Sequence, residues 1–175
     1  MESPIRIFAT GGTFDKEYDK ISGELEFRST HVQQVLELGR SSVRVDVRTL
    51  MLIDSQDMTD ADRDIILDSC RRIEETRIII THGTDRMALT AAHLGQAMGD
   101  DKMKDKTIVL TGAMIPYQFG SSDGLFNFGA ALAYVQLLGP GVYVAMNGRY
   151  FTWDNVRKNR RLGLFESLEH LSDDD

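Results

Sequence analysis

Residues 77–85 have the sequence RIIITHGTD, in which an apolar run passes directly into polar residues and a glycine. Consecutive isoleucines predict a strand that is covered on both faces, as the strands of parallel sheets are. The threonines, histidine and aspartate that follow would then lie at the carboxyl end of a buried strand. Open α/β sheets bind their ligands at that end.

Segments with strand and helix patterns alternate on both sides of this run. Further strands are predicted over residues 5–10, 43–53, 107–111 and 142–146, and helices over residues 31–38, 59–74, 86–98 and 125–138. Thr30 and Thr59 are the predicted N-caps of the first two helices. The alternation predicts a three-layer, doubly wound α/β domain with a mainly parallel sheet in the flavodoxin-like strand order 2-1-3-4-5. We expect a single domain over residues 1–175, with a flexible tail at 171–175.

Composition argues against several classes of function. The chain of 175 residues has a formal net charge of −7, and so acidic a protein is not expected to bind nucleic acid. No segment is apolar over the length that a membrane span requires, and the amino terminus lacks a secretory signal pattern. We therefore expect a cytoplasmic protein without membrane contact. The single cysteine, Cys70, agrees with a reducing compartment, and its apolar helix face predicts a core thiol.

Cofactor and metal motifs are missing from the sequence. Neither a phosphate-binding loop nor the dinucleotide fingerprint follows the first strand. The four histidines lack the spacing of metal ligands, and there is no second cysteine to help them. We expect no cofactor and no metal. For His82 we expect a packed or hydrogen-bonded position, and a place in the lining of the pocket is the alternative.

Polar clusters follow three strands that the predicted order makes neighbours. They are Thr10–Thr13, Asp54–Asp57 and Thr81–Asp85. Each cluster alone is compatible with an ordinary turn or helix cap. Because the carboxyl ends of parallel strands meet at one edge, their coincidence favours a functional site there.

Five segments resemble, in order and spacing, the bacterial-type L-asparaginase/glutaminase family. They are residues 9–13 (ATGGT), 54–58 (DSQDM), 80–85 (ITHGTD), 110–116 (LTGAMIP) and 122–127 (SDGLFN). The resemblance covers residues 5–160 and concerns the family's amino-terminal domain only. It implies an amidohydrolase that converts L-asparagine to L-aspartate and ammonia, with an amino-acid amide as its small-molecule partner. Glutamine or another amide is the alternative substrate, and a binding module without turnover is the alternative from another class.

The resemblance also implies roles for individual residues. Thr13 matches the nucleophile, and Tyr18 matches the tyrosine on the flexible loop that activates it. The full set of implied catalytic residues is Thr13, Tyr18, Thr84, Asp85 and Lys158. The implied substrate-binding residues are Gly12, Ser55, Gln56 and Asp85, with Ser55 and Gln56 holding the α-carboxylate and Asp85 the α-ammonium. Arg86 stands where many relatives carry a small residue.

These roles are chemically reasonable for the residue types. A threonine hydroxyl needs a neighbour that takes its proton. A tyrosine, with an ordinary pKa of about 10, serves only if positive charge lowers that value. Lys158 could supply the charge, or act as the base itself if partly desolvated. It belongs, however, to a basic run of Arg157, Lys158, Arg160 and Arg161, which by composition is typical of a solvated face. Backbone N–H groups near Thr13 and Thr84 could stabilise the oxyanion.

One departure from the family concerns a second, smaller carboxyl-terminal domain that contributes to a neighbouring subunit's active site. This chain ends where the linker to that domain is expected. We therefore expect a homodimer in which a second copy covers the site. The candidate interface residues are Phe126, Phe128 and Tyr134, for which a place in the core is the alternative.

Overall fold

The computed structural model describes residues 4–169, and within that range the chain forms ten strands and four α-helices. The strands are β1 (Ile5–Gly11), β2 (Lys16–Tyr18), β3 (Leu25–Phe27), β4 (Val45–Ile53), β5 (Arg77–Thr81), β6 (Thr107–Thr111), β7 (Gly141–Met146), β8 (Arg149–Thr152), β9 (Arg157–Asn159) and β10 (Leu164–Glu166). The helices are α1 (Val32–Leu38), α2 (Asp60–Arg72), α3 (Met87–Gln96) and α4 (Gly124–Leu137). Single 3-10 turns occupy Thr13–Asp15 and Tyr117–Phe119. The predicted tail at 171–175 lies outside the described residues.

The central sheet has the strand order β4-β1-β5-β6-β7-β8. Its first five strands run parallel, and β8 joins the edge antiparallel to β7. The five predicted strands therefore have the order 2-1-3-4-5, and the doubly wound fold is confirmed. The edge strand β8 was not predicted. Two separate hairpins, β2–β3 and β9–β10, stand beside the sheet and were not predicted either.

Helices cover both faces of the sheet, and the isoleucine run of β5 explains why. Ile78 and Ile80 pack on one side with the apolar faces of α2 and α3, while Ile79 packs on the other side with α1 and α4. All three side chains are fully buried. Burial on both faces is what an unbroken apolar strand predicts. The four predicted helices are all present, with ends that differ from the prediction by at most two residues.

The two predicted N-caps have different outcomes. Thr59 caps α2 in a reciprocal capping box: its hydroxyl accepts from the Asp62 amide at 3.3 Å, and the Asp62 carboxylate accepts from the Thr59 amide at 2.8 Å. The prediction of Thr30 as the cap of α1 is wrong by one residue, because the N-cap is His31. Asp15, from a distant turn, accepts from the His31 amide at 2.8 Å and from the Thr30 hydroxyl at 3.1 Å.

Two further expectations concern single side chains. Cys70 is fully buried, and burial raises the pKa of its thiol to about 12, so the prediction of a core thiol is confirmed. Three aromatic residues are candidates for an interface. The prediction for Phe128 is wrong, because this side chain is 2% exposed and lies in the core, whereas Phe126 is 64% exposed. Tyr134 is partly buried and donates to the Gly148 carbonyl at 2.9 Å. No helix within the described residues is both long and apolar enough to cross a membrane.

Candidate active site

The turn after β1 brings Thr13 against the end of β5. Gly11 and Gly12 have φ values of 99° and 78°, in the left-handed region that favours glycine. A Cβ on Gly12 would lie 2.3 Å from the Gly83 amide nitrogen, and a Cβ on Gly11 would lie 2.4 Å from that of Ile53. The two glycines therefore allow the backbone before Thr13 to approach the last residue of β4 and the segment that follows β5. Thr13 itself is partly exposed and begins a 3-10 turn.

Thr84 and Asp85, which follow β5, share one lysine. The Lys158 ammonium, on β9, donates to Thr84 Oγ1 at 2.8 Å and to Asp85 Oδ1 at 2.8 Å. The hydrogen bond from Lys158 lowers the pKa of the Asp85 carboxyl, and a second hydrogen bond from Gln56 adds to that effect. Asp85 is therefore a carboxylate at neutral pH. The structure brings these predicted site residues together although Lys158 is distant in sequence.

The segment after β4 reaches the same place. The Gln56 side-chain amide donates to Asp85 Oδ2 at 2.5 Å. Ser55 is 1% exposed, and its hydroxyl accepts from the Arg86 amide at 3.3 Å. A Cβ on Gly83 would lie 2.6 Å from Ser55 Oγ, so the absence of a side chain at Gly83 makes room for that hydroxyl. Ser55 and Gln56 thus lie beside the Thr84 and Asp85 pair.

Lys16 connects the strand after the Thr13 turn to this segment. Its ammonium donates to Asp54 Oδ2 at 2.5 Å, and its side chain is 21% exposed. Burial raises the pKa of the Asp54 carboxyl, but the backbone amide of Gln56 and Lys16 both hydrogen bond to it, and the net effect is a lowered pKa. Sequence reasoning did not single out Lys16, because a lone lysine in a short strand carries no motif.

Tyr18 is the predicted site residue that the structure leaves apart from the others. It lies on β2 and is 56% exposed. Within the described part of the chain, no hydrogen bond joins its hydroxyl to Thr13 or Lys158. A hydrogen bond between Tyr18 and Thr13 therefore requires a rearrangement, either of the exposed Tyr18 side chain or of the β2–β3 hairpin.

Two asparagines that sequence reasoning gave no role hold the hairpin that carries Lys158. Asn127 on α4 donates to the Gly112 carbonyl at 3.0 Å and accepts from the Asn147 amide at 3.0 Å. Asn147 in turn accepts from the Phe165 amide at 2.8 Å, and Phe165 pairs with Lys158 across β9 and β10. Asn147 is followed by glycine and has a φ of 57°, so the Asn-Gly pair was the available signal for this turn.

His82 lies behind the site, within the core. It is fully buried, burial lowers the pKa of its imidazole to about 4, and its Nε2 lies 2.7 Å from Thr90 Oγ1. The imidazole is therefore neutral and packed, as expected. Among residues 4–169, no group of three or more histidine, cysteine or acidic side chains could hold a metal ion.

The fold and the site together define a doubly wound α/β domain whose polar site lies across the carboxyl ends of its first three parallel strands. The model of the family described as Asparaginase, N-terminal matches residues 4–170, and the chain belongs to that family.

Individual relatives agree with this assignment. The chain is 27% identical over 169 residues to the L-asparaginase of Thermococcus kodakarensis, a match that covers 94% of this chain and 51% of the relative. The solved structure of that thermostable enzyme superposes with a TM-score of 0.81. A probable periplasmic L-asparaginase of Haemophilus influenzae is 32% identical over 171 residues, covering 88% of this chain and 46% of the relative.

A third relative has a solved structure described as a probable cytoplasmic L-asparaginase, from Campylobacter jejuni. It has a TM-score of 0.76 and 26% identity, and the match covers 95% of this chain and 52% of that one. The chain thus spans about half the length of the relatives it matches.

Proposed function

We propose that this chain hydrolyses L-asparagine to L-aspartate and ammonia. The observation that carries the proposal is the hydrogen-bonded set of Lys158, Thr84, Asp85 and Gln56 beside the Thr13 turn. Membership of the asparaginase family supports the same reaction, as do relatives described as L-asparaginases.

Thr13 is the nucleophile in this proposal. Its Oγ attacks the side-chain amide carbon of asparagine, and the proton of the hydroxyl passes to the amide nitrogen. The C–N bond then breaks, ammonia leaves, and an ester joins the β-carbonyl to Thr13. Water hydrolyses the ester, which releases aspartate and restores the hydroxyl. Backbone N–H groups next to Thr13 and Thr84 stabilise the oxyanion in both halves of the reaction.

Lys158 holds Thr84 and Asp85 in place and adds positive charge near the nucleophile. Tyr18 takes the Thr13 proton once the β2–β3 hairpin has closed over the site. Only the phenolate form of Tyr18 can accept that proton and pass it to the amide nitrogen, and positive charge from Lys158 would favour that form in the closed arrangement.

The substrate's backbone groups bind opposite the nucleophile. Asp85, ionised because its pKa is lowered, accepts the α-ammonium. Ser55 and Gln56 hold the α-carboxylate, and Gly12 lines the approach to Thr13. Carboxylate and ammonium contacts of this kind are charge-assisted and fix the amide carbon in front of Thr13.

We further propose a cytoplasmic homodimer. The Campylobacter relative, described as a probable cytoplasmic enzyme, supports this location. The Haemophilus relative is described as a probable periplasmic enzyme, so a periplasmic location is the alternative. Phe126, which remains exposed beside the site's edge of the sheet, supports a covering partner there.

Trapping the covalent intermediate tests the proposed function. The protein is mixed with asparagine, quenched in acid within seconds, digested and analysed by mass spectrometry. We expect an aspartyl ester on the peptide that contains Thr13, and none in Thr13→Ala. Ammonia release without an adduct on Thr13 would move the nucleophile elsewhere. If asparagine is not hydrolysed but calorimetry shows that aspartate binds, the protein is a binding module without turnover. If only glutamine is hydrolysed, the substrate is glutamine and not asparagine.

A further inference from the structure

A buried cluster lies beneath the Thr13 turn, separate from the hydrogen bonds of the site. Asp15, from the Thr13–Asp15 turn, and His31, at the start of α1, are both fully buried. His31 Nε2 lies 2.9 Å from Glu17 Oε1, and His31 Nδ1 lies 3.5 Å from Asp15 Oδ1. Glu17 belongs to β2, and its side chain is 20% exposed. One imidazole therefore faces two carboxylates from two different elements.

The other groups around the imidazole come from the second 3-10 turn. The Gln118 side-chain nitrogen lies 3.0 Å from His31 Nε2; when that ring nitrogen carries a proton the amide presents its oxygen instead, because two N–H donors do not pair. The Tyr117 ring centroid lies 5.7 Å from that of His31. Thr30 completes the surroundings of Asp15, with its hydroxyl at 3.1 Å. The charged groups in contact with His31 in the described chain are thus both acidic.

The two carboxylates of this cluster favour a positive charge on the imidazole between them. A buried carboxylate is costly unless a positive charge or hydrogen bonds compensate it. Asp15 Oδ2 and His31 Nδ1 are both without a hydrogen-bond partner among the described residues. An imidazolium supplies the missing charge: its Nε2 lies 2.9 Å from Glu17 Oε1, and its Nδ1 lies 3.5 Å from Asp15 Oδ1, within ion-pair distance but without a hydrogen bond. In agreement, the Asp15 carboxylate raises the pKa of His31, burial opposes that rise, and Glu17 adds to it.

The cluster connects to the site through the alternation of β2. Side chains alternate between the two faces of a strand, so Lys16 and Tyr18 lie on the face opposite to Glu17. Lys16 reaches Asp54 next to the substrate segment, and Tyr18 is the proposed proton acceptor. The contact between Glu17 and His31 therefore fixes the orientation of β2, and with it the positions of Lys16 and Tyr18.

We propose that protonated His31 is a positioning residue, which ties Asp15 and Glu17 to α1 and thereby fixes the Thr13 turn and the β2–β3 hairpin. Its effect on catalysis rests on the proposed function, whereas the coupling of hairpin to histidine does not. The direction with pH follows from the raised pKa. The stabilisation is fully present below the ordinary histidine pKa of about 6.5 and is lost as the pH rises through the raised value.

Hydrogen exchange of the hairpin tests the coupling without any use of activity. Wild type and His31→Gln are compared at the same pH, at about pH 6 and again at about pH 9, so that intrinsic exchange rates cancel. At the lower pH we expect residues 16–27 of the variant to exchange on the order of tenfold faster than wild type. At the higher pH the two should agree within about twofold.

His93→Gln is the matched control. His93 also pairs with a carboxylate, Asp64 at 2.8 Å, but it lies on α3 on the opposite face of the sheet. The His93→Gln variant should show the same hydrogen exchange of the β2–β3 hairpin as wild type at both pH values. Equal exchange of wild type and His31→Gln at the lower pH, or a difference that persists unchanged at the higher pH, would overturn the proposal.

A second measurement covers the case in which His31→Gln does not fold. Titration of His31 by NMR in the wild type should give a midpoint above about 6.5, and Glu17→Gln, at the edge of the cluster, should lower it. A midpoint at or below the ordinary value, or no change in Glu17→Gln, would contradict the assigned role.

If the protein is an asparaginase, kcat of the wild type should fall over the same pH range with KM little changed. If it shows no such activity, the exchange and titration results still decide the role of His31.

Discussion

Lys158 contacts Thr84 and Asp85 with a side chain that is only 11% exposed. Replacement by methionine keeps much of the volume but removes the ammonium and leaves Asp85 without its ion-pair partner. We expect Lys158→Met to lower kcat about 10²- to 10³-fold, the range for loss of one positioned electrostatic group in an active site. Steady-state kinetics with asparagine measures it. Arg161→Met, at an exposed position of the same basic run, should keep normal activity.

For Ser55 we predict an effect on substrate binding, whereas for Lys158 we predict an effect on turnover. Its proposed contact with the α-carboxylate exists equally in the ground state and the transition state, so its loss should raise KM and leave kcat nearly unchanged. Ser55→Ala is compared with Ser42→Ala, an exposed serine in a loop. Calorimetric affinity of Ser55→Ala for aspartate equal to that of wild type would show that the carboxylate binds elsewhere.

Sequence patterning could not have found Lys158 alone. A basic run normally predicts solvated surface, and only the resemblance to the asparaginase family selected this lysine from its neighbours. The structure supplies the physical reason for its different environment, since Asn127 and Asn147 hold β10 and so place β9 over Asp85. Such a chain of hydrogen bonds between distant segments leaves no local pattern.

At the scale of elements, the capping box of α2 is a clean test of local stability. Thr59 and Asp62 satisfy two amides that the helix itself cannot. We expect Thr59→Ala to lower the free energy of unfolding by about 1 kcal/mol. Urea denaturation measures the loss. Ser69→Ala, which removes an exposed hydroxyl bonded to Ile65 within the same helix, should change it by less than about 0.5 kcal/mol.

The elements that sequence predicted are those long enough to show a period. All five parallel strands and all four helices were found, because apolar runs and helical stripes extend over several residues. The strands β2, β3, β9 and β10 have three residues each, which is too short for an alternation to be distinguished from a loop. The edge strand β8 carried a signal in the Asn147 and Gly148 turn, whose φ values are 57° and 76°.

At the scale of the whole molecule, we predict that a charged side chain at position 126 dissociates the proposed homodimer. This residue is 64% exposed at the start of α4, where an acid is favourable for the helix, so Phe126→Glu should fold normally. We expect the wild type to sediment as a dimer at micromolar concentration and Phe126→Glu to sediment as a monomer. Leu89→Glu, exposed on α3 on the opposite side of the sheet, should remain dimeric. A monomeric wild type would remove the proposed assembly.

The central position of β1 in the sheet delays its pairing during synthesis of the chain. β1 is synthesised before both strands that flank it, which begin at Val45 and Arg77. At roughly 5–20 residues per second, the 70 residues from Gly11 to Thr81 take about 4 to 14 seconds to be added, and β1 waits that long for its second partner. Its side chains, which include Ile5, Ile7 and Phe8, are not fully buried during that interval. The nascent chain thus carries an apolar segment that has only part of its final cover until β5 emerges.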